Sequence, residues 1–337
     1  MRLLHIWLSI FLGLVFVQHS NAANVSDLEE SNLISYAAQQ SFMDGDFAEL
    51  DRISNIYRME KSRTSSGLWK LTMFYCGIQQ AIDAATEGGK AESKFHPLEK
   101  KIRKWMRQSP NSPSAHIAYG QALISHGWAY RGDGYADTVK PESWAPYKKY
   151  IAKARIELEQ HKSVAASDPN WYVTMLTVSR AENWSYREFD ALLNEALDKE
   201  PLFYQTYFSA LQYLLPKWHG GLREVESFAQ NAVKRTQQQE GSGMYARIYW
   251  YASQVQFSNE IFVKSLATWP QMRRGFDDIV RKYPDPWNLN HYAKFACLAK
   301  DKSKARQLLK QIEPIYLRDA WSPPQLRTHC MIWANRA

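Results

Sequence analysis

The feature that most constrains the fold is a unit of two helices bounded by prolines, and it recurs along the chain. It is clearest between Pro169 and Pro201, where an aromatic first helix, a short break at Asn183 and a second, alanine-containing helix follow one another. The next unit begins at once with Leu202-Phe203-Tyr204. A return interval of about thirty to forty residues is typical of stacked helical hairpins, which bury their apolar faces against their neighbours. Such arrays more often bind other molecules than transform them.

Helical spacing of apolar residues extends over the rest of the chain, whereas the sequence has little strand-type alternation and no Asn-Gly hairpin turn. We therefore predict an all-α protein, an elongated right-handed superhelix (α-solenoid) of about seven antiparallel helix pairs. Residues 23–337 form one repeat domain with an irregular central loop at 131–141. Thirteen Trp and nineteen Tyr are expected mostly to fill the seams between hairpins. The predicted pairs are 33–42 with 47–59, 68–86 with 97–108, 114–130 with 142–164, 170–183 with 185–199, 201–215 with 221–237, 243–258 with 267–282, and 287–299 with 302–312, before a last helix near 322–334.

Several of these units resemble tetratricopeptide repeats. Residues 195–201 match the family's closing Ala-to-Pro phrase, and residues 45–50 match its turn into the second helix, with Ala38 at the small first-helix position. Ala293 and Ala305 hold the two small positions near the C-terminus. The resemblance implies a concave surface, lined by first helices, that takes an extended peptide or a partner helix. The segments 128–139 and 216–221 also resemble an exported bacterial family of unknown function, which implies no activity.

The first residues read as a cleaved signal peptide, residues 1–22. Arg2 supplies the positive charge, residues 6–17 are almost all apolar, and Ser20-Asn21-Ala22 offers small residues for cleavage. An uncleaved N-terminal anchor is the alternative. The apolar run is short for a bilayer span, and no later segment approaches the roughly 20 apolar residues that a transmembrane helix needs. We expect a periplasmic or secreted protein without a transmembrane segment.

The formal net charge is +8, and the most basic stretch is a helix at 94–107. Its apolar face carries Leu98, Ile102 and Trp105, so the basic residues lie mostly on the other face. A solvated outer face explains this pattern, and contact with an anionic envelope polymer is the alternative. We expect no nucleic acid partner, because the export signal is present and no binding motif is recognisable. The basic residues concerned are Lys100, Lys101, Arg103, Lys104 and Arg107.

Two local clusters stand out as candidate sites. The segment 126–135 combines His126, Arg131 and Asp133 with aromatic rings, and these residue types can bind an anionic or carbohydrate-like ligand. A turn in which Arg131 and Asp133 satisfy the backbone at a helix end is the structural alternative. The second cluster, Trp218-His219-Gly220-Gly221, follows Pro216 and is interpreted mainly as a turn.

The leading functional hypothesis is an exported scaffold that binds a protein or peptide partner through a concave aromatic surface. One alternative is a helical cell-envelope enzyme acting on cell-wall sugar or peptide through His126, Arg131 and Asp133 in a pocket at the 126–139 loop. A self-assembling structural protein is the second alternative. No nucleophile motif, zinc-binding spacing or cofactor motif singles out a catalytic residue, a metal site or a cofactor. The candidate partner-binding residues are His126, Trp128, Arg131, Asp133, Trp171, Tyr172, Tyr204, Tyr207, Trp218 and His219.

The chain has three cysteines, Cys76, Cys297 and Cys330, so at least one thiol is free. Their apolar neighbours favour simple buried packing. A Cys297–Cys330 bridge between neighbouring C-terminal helices is the alternative.

Overall fold

Helices make up nearly all the regular structure of residues 26–86, 92–132 and 134–336, the part of the chain that the computed structural model describes. The only pairing of strand type among these residues is an isolated bridge between Arg63 and Trp69. The all-α prediction is therefore confirmed. The helices are α1 (Asp27–Asp44), α2 (Phe47–Glu60), α3 (Lys70–Thr86), α4 (Glu92–Gln108), α5 (Pro113–Arg131), α6 (Pro141–Gln160), α7 (Lys162–Ala165), α8 (Asn170–Ala181), α9 (Tyr186–Lys199), α10 (Tyr204–Leu214), α11 (Leu222–Glu240), α12 (Gly243–Ala252), α13 (Ile261–Lys264), α14 (Trp269–Lys282), α15 (Pro286–Leu298), α16 (Lys302–Ile312) and α17 (Gln325–Asn335).

Several helix boundaries follow from capping chemistry. Ser185 begins α9 with a capping box, in which its hydroxyl accepts a bond from the Glu188 N–H and the Glu188 carboxylate accepts one from the Ser185 N–H. Ser112 caps α5 in the simpler way, by accepting from the Ala115 N–H. Gly45 ends α1 with a φ of 78°, a left-handed conformation that glycine adopts without strain. The short connections between paired helices therefore arise from local sequence.

Large rings and small residues together set the spacing between neighbouring helices. Trp105 of α4 is buried against the stacked ring of Phe47, at 5.5 Å between centroids, and against the edge of Phe42. Where α1 crosses α3, a side chain at Gly77 would place its Cβ 2.0 Å from the Ser35 carbonyl oxygen. Only glycine permits this approach of the two backbones. As expected, many of the aromatic rings lie in the seams between helices.

The array closes on itself, so the predicted elongated shape is wrong. The Asp27 N–H at the start of α1 donates to the Asp285 carboxylate just before α15, at 3.1 Å. Residues 61–69, which we call the bridging loop, connect α2 to α3 and reach across to the same region. Its Ser66 carbonyl oxygen accepts hydrogen bonds from Arg247 at 2.7 Å and from Asn288 at 3.1 Å. Contacts between the first and last thirds of the chain make the molecule compact; the handedness of a superhelix remains a prediction.

A buried ion pair fastens α2 to the middle of the array. The Arg58 guanidinium lies 2.7 Å from the carboxylate of Asp168, which is completely buried before α8. The same carboxylate accepts from the Tyr75 hydroxyl at 2.8 Å and from the Asn170 N–H at 2.9 Å. Burial raises the pKa of Asp168, although the Arg58 charge and these bonds oppose the shift. The dipeptide Asp-Pro that opens the clearest repeat is thus a tertiary anchor as well as a turn.

Several helices depart from their predicted bounds: α1 begins at Asp27 rather than 33, and the helix predicted at 142–164 is divided into α6 and α7. The helix predicted at 243–258 ends at Ala252 and continues as a π-helical turn at Ser253–Phe257 and a 3-10 turn at Ser258–Glu260. The basic helix begins at Glu92 rather than near Pro97, and the extra turn buries Phe95. Packing of Phe95 outweighs the tendency of proline to mark a helix start.

Cys297 of α15 and Cys330 of α17 form a disulfide with a Cα–Cα distance of 5.9 Å. This was the alternative to simple buried packing of these two cysteines. The predicted signal peptide at 1–22 lies outside the described residues. No described helix combines the length and apolar character needed to cross a membrane.

Candidate binding surface

Two segments singled out in the sequence meet in the structure. The indole rings of Trp128, near the end of α5, and Trp218, in the turn after α10, lie edge to face with centroids 6.3 Å apart. The Tyr147 ring of α6 packs against Trp128 at 5.3 Å and against Trp144 at 5.9 Å. Tyr147 is buried, whereas the three tryptophans are half-buried and therefore reach the surface. The result is a row of partly accessible indole rings supported by a buried tyrosine.

Arg131 lies between two of these rings. Its guanidinium carbon is 4.8 Å from the Trp128 centroid and 5.4 Å from the Trp144 centroid, which are cation–π distances. The same group donates hydrogen bonds of 3.0 Å to the carbonyl oxygens of Gly132 and Gly134. Arg131 therefore fixes the start of the irregular loop, as the structural alternative predicted, and also presents a positive charge beside the indoles.

A second arginine lies over Trp218. The guanidinium of Arg180, at the end of α8, is 4.9 Å from the Trp218 ring centroid. It makes no ion pair or hydrogen bond with any residue in the described part of the chain, and its Nε is buried without a partner. Burial lowers the pKa of Arg180, because removal from water disfavours the charged form. We call Trp128, Arg131, Trp144, Arg180 and Trp218 the tryptophan–arginine strip.

The environment of the strip is cationic on one side. Lys217, adjacent to Trp218, donates to the Val255 carbonyl oxygen at 2.6 Å, and burial lowers its pKa. Arg155 is different, because its guanidinium lies 3.4 Å from the Glu182 carboxylate and is partly neutralised. Arg180 thus lacks the carboxylate partner that Arg155 has in Glu182.

Local sequence chemistry positions the strip. The turn that carries Trp218 reverses tightly, and a Cβ at Gly220 would lie 2.0 Å from the Leu214 carbonyl oxygen. Gly132 ends α5 with a φ of 75°, which lets the chain leave the helix beside Arg131. Both glycines were recognised as turn formers in the sequence, but their role in bringing Trp128 and Trp218 together depends on helix packing.

Four of the candidate partner-binding residues do not reach this surface. The sequence predicts them at a binding surface because they lie on first helices. Their side chains instead fill the seams between helices and are buried. Trp171 donates from Nε1 to the Leu158 carbonyl oxygen, and Tyr207 donates to the Pro201 carbonyl oxygen. The four are Trp171, Tyr172, Tyr204 and Tyr207, none more than 2% exposed.

The structure does not bring His126 to Arg131. The His126 ring is buried, stacked on Phe95 at 4.1 Å and packed against Tyr150 at 4.4 Å, with both ring nitrogens unpartnered. Its nearest charged group is the Glu92 carboxylate, at 3.7 Å. Arg131 instead stacks on Trp128 and Trp144, and Asp133 lies outside the described residues. The pocket postulated for an enzyme from these three groups therefore has no geometric support in the described part of the chain.

His219 is exposed and packs its ring against Tyr213 at 4.5 Å. On the basic helix α4, Lys101 donates to the Met43 carbonyl oxygen and Arg103 pairs with Glu99. These two side chains act within the fold. Three others on this helix are exposed and make no ion pair or side-chain hydrogen bond with a described residue: Lys100, Lys104 and Arg107.

Sequence reasoning missed one histidine cluster. The rings of His116 and His161 stack at 4.0 Å and 19°, and both Nδ1 atoms approach the Glu157 carboxylate, at 3.4 and 2.9 Å. The ligand atoms of His116, Glu157 and His161 lie within 4.8 Å of one another, and both Nδ1 atoms face the same carboxylate oxygen. Glu157 is the shared partner of both imidazoles in this structure, and residue types in this arrangement could also hold a metal ion.

Comparison of the chain with family models, curated proteins and solved structures finds no match. Function is therefore argued from the residues of the tryptophan–arginine strip and their surroundings.

Proposed function

We propose that the chain is a non-enzymatic, exported scaffold that binds an extended acidic polypeptide segment along the tryptophan–arginine strip. The observation that carries the proposal is Arg180, a partly buried guanidinium stacked on Trp218 without a counter-charge among the described residues. An isolated charge held away from water raises the free energy of the free protein. A carboxylate from a partner relieves this penalty and supplies charge-assisted hydrogen bonds.

The distribution of arginines over the rings favours a polypeptide over a sugar. Sugar recognition by aromatic residues uses open ring faces, yet guanidinium groups occupy at least one face of Trp128, Trp144 and Trp218. The polar groups of the strip are then guanidinium N–H donors beside indole rings, and Arg180 Nε and Trp218 Nε1 are buried without hydrogen-bond partners among the described residues. Such a surface suits Asp or Glu side chains interleaved with apolar or aromatic ones.

The location of the strip also supports an extended ligand. Its residues come from α5, α6, α8 and the turn after α10, so they span several neighbouring helices of the array. Surfaces that run across successive hairpins are those on which helical-repeat proteins hold extended chains.

The direct test is fluorescence anisotropy with a labelled peptide in which Glu alternates with Phe. We expect saturable binding that weakens as salt is added, because charge attraction contributes to it. Replacing Arg180 by Met (Arg180→Met) should weaken binding by about tenfold, which corresponds to about 1.4 kcal/mol. Arg155→Met is the matched control, since it removes an arginine that Glu182 already neutralises, and should change binding less than twofold.

Two further probes define the outcome. The same peptide with Gln in place of Glu tests the need for charge, and a neutral chito-oligosaccharide tests sugar recognition. The proposal is wrong if the acidic peptide does not bind, if both arginine variants bind it equally, or if the oligosaccharide binds more tightly through the same residues.

A further inference from the structure

A separate cavity of about 210 Å³ lies where the bridging loop meets α10, α12 and α15. It is outside the tryptophan–arginine strip and uses none of its residues. Half of the residues that line it are aromatic, and Arg247 is the only charged one among them. The lining residues are Ser66, Leu68, Phe208, Arg247, Trp250, Tyr251, Gln254 and Trp287.

Arg247 is held inside the molecule without an ion pair. Its side chain is 4% exposed, and its one hydrogen bond among the described residues runs from Nη2 to the Ser66 carbonyl oxygen at 2.7 Å. The guanidinium lies 5.1 Å from the Tyr204 centroid and 5.7 Å from the Tyr283 centroid. A guanidinium has five N–H donors, so most of its donor capacity is unused.

A second guanidinium adds to the positive charge. The guanidinium carbon of Arg63, in the bridging loop, lies 4.8 Å from the centroid of the Tyr204 ring, which also contacts Arg247. Like Arg247, Arg63 makes no ion pair with a described residue. The nearby carboxylates are engaged elsewhere. Glu240 accepts from Lys282 and from the Tyr283 hydroxyl, and Asp285 accepts from Asp27, Ser65 and Trp287. Two arginines therefore flank one tyrosine without an ion pair among the described residues, and the Glu240 charge acts on Arg247 only at longer range than an ion pair.

The backbone next to the cavity is irregular. The π-helical turn at Ser253–Phe257 interrupts the predicted long helix and places Gln254, which is exposed, at the cavity wall. Turns of this kind widen a helix locally and occur often at functional sites. The buried carbonyl group of Asn288 and the buried hydroxyl group of Tyr204 also lack hydrogen-bond partners among the described residues.

From this arrangement we infer that the cavity binds a carboxylate that is attached to a small aromatic or aliphatic group, with the carboxylate on the Arg247 guanidinium and the apolar group between Trp250, Phe208 and Trp287. A planar guanidinium matches the two oxygens of a carboxylate and donates to both. The aromatic walls supply the apolar contact.

The size of the cavity limits the ligand. It is smaller than the roughly 300–1,000 Å³ of sites for drug-sized molecules, so it takes a single ring or a short aliphatic group rather than a long chain. Two sources provide this chemistry, a free small acid and the C-terminal residue of a polypeptide. Both present one carboxylate beside one apolar group.

The first experiment compares phenylacetate with phenylacetamide, which has nearly the same shape but no charge. Binding to the full chain is followed by the change in tryptophan fluorescence, because Trp250 and Trp287 line the cavity. We expect phenylacetate to bind at least tenfold more tightly than the amide. A second pair, a short peptide ending in Phe with a free or an amidated C-terminus, separates the two sources.

Two variants place the site. Arg247→Lys keeps the charge but removes the planar fork, and should weaken phenylacetate binding by about tenfold. Because Arg247 also donates to the Ser66 carbonyl oxygen of the bridging loop, we expect this variant to lower stability as well. Gln254→Trp fills the cavity mouth from an exposed position and should abolish binding while the melting temperature stays unchanged.

The outcomes are distinct from those of the peptide test on the strip. The cavity site with a free acid as ligand is supported if phenylacetate binds to the parent protein and to Arg180→Met but does not bind to Gln254→Trp. Binding of only the free-C-terminus peptide supports the same site with a polypeptide as ligand. Equal binding of acid and amide, binding unchanged by Gln254→Trp, or no binding of either carboxylate overturns the inference.

Discussion

The indole of Trp128 meets the indole of Trp218 at an interplanar angle of 88°, and the contact joins the end of α5 to the turn after α10. The two residues come from different repeats, so this contact is tertiary. It couples the positions of Arg131 and Arg180, since each guanidinium stacks on one of the two rings. The geometry of the proposed binding surface therefore depends on this pair.

A double-mutant cycle tests that coupling. Edge-to-face aromatic pairs contribute about 0.5–1.5 kcal/mol beyond their buried area. We expect Trp128→Leu and Trp218→Leu each to destabilise the protein, and the double variant to be about 1 kcal/mol less destabilised than the sum of the two. Urea unfolding of the parent and the three variants, followed by circular dichroism, gives the three changes in the free energy of unfolding. Trp128→Leu combined with Trp287→Leu is the control pair, and additivity in the Trp128–Trp218 pair would contradict the prediction.

Both segments of this contact were singled out from sequence, but their contact was not. Glycine, proline and aromatic residues mark a turn locally, and those signals identified 126–135 and 216–221. Arg180 was missed, since a single arginine at a helix end has no local signature. Arg180 matters because it has no carboxylate partner among the described residues, and the absence of a partner can be seen only in the folded structure.

Replacing Arg180 should separate binding from stability. A buried cation without a partner is unfavourable for folding, whereas a methionine can occupy the same space and contact the Trp218 ring through its sulfur. We expect Arg180→Met to raise the free energy of unfolding by about 1 kcal/mol while it weakens binding of the acidic peptide. Arg155→Met loses its partner Glu182 and should lower stability by about 0–1 kcal/mol. A marked loss of stability in Arg180→Met would show that the cation–π contact is primarily structural.

The disulfide between Cys297 and Cys330 should hold the last helix in place. It closes a loop with a sequence separation of 33 residues, for which the chain-entropy model gives about 3–4 kcal/mol. We expect the Cys297→Ser/Cys330→Ser variant to melt at lower temperature than the oxidised protein and to lose protection from proteolysis first in α17. Reduction of the unmodified chain with dithiothreitol should lower the melting temperature to the same value. Equal melting temperatures before and after reduction would contradict this role.

The overall architecture was more predictable than the shape. Hairpin boundaries follow local caps such as Ser112 and Ser185, so the order of helices could be predicted from the sequence. Closure of the array depends on single contacts such as the Asp27–Asp285 hydrogen bond between distant residues, which leave no periodic pattern. The same reason explains why Tyr204 and Tyr207 were taken for surface residues. A first-helix position indicates the concave side only in an open array. Here Arg63 of the bridging loop and Arg247 of α12 lie over the Tyr204 ring, and Phe228 of α11 packs against Tyr207.

Acid should destabilise the protein through His291. This residue of α15 is buried against Trp250 and Trp287, and burial lowers its pKa from 6.5 to about 3. The unfolded chain takes up a proton at this residue as the pH falls below about 6.5, and the folded protein does not. Titration of His291 therefore leaves the free energy of unfolding unchanged above about pH 6.5. Below that pH, the free energy of unfolding falls by about 1.4 kcal/mol per pH unit until about pH 3. At pH 5 the expected loss from His291 is about 2 kcal/mol.

Urea unfolding between pH 8 and pH 5 measures this dependence, and His291→Asn isolates the contribution of one residue. Asparagine keeps a donor for the Trp287 carbonyl oxygen, to which His291 Nδ1 lies at 3.0 Å, but it does not titrate. We expect the variant to be less stable at pH 8, where it leaves a cavity, and to lose less stability on acidification than the parent. His126→Asn should show a smaller effect of the same sign, because burial lowers the pKa of His126 while the Glu92 carboxylate opposes the shift. Parallel pH profiles for the parent and His291→Asn would contradict the assignment of acid sensitivity to this buried imidazole.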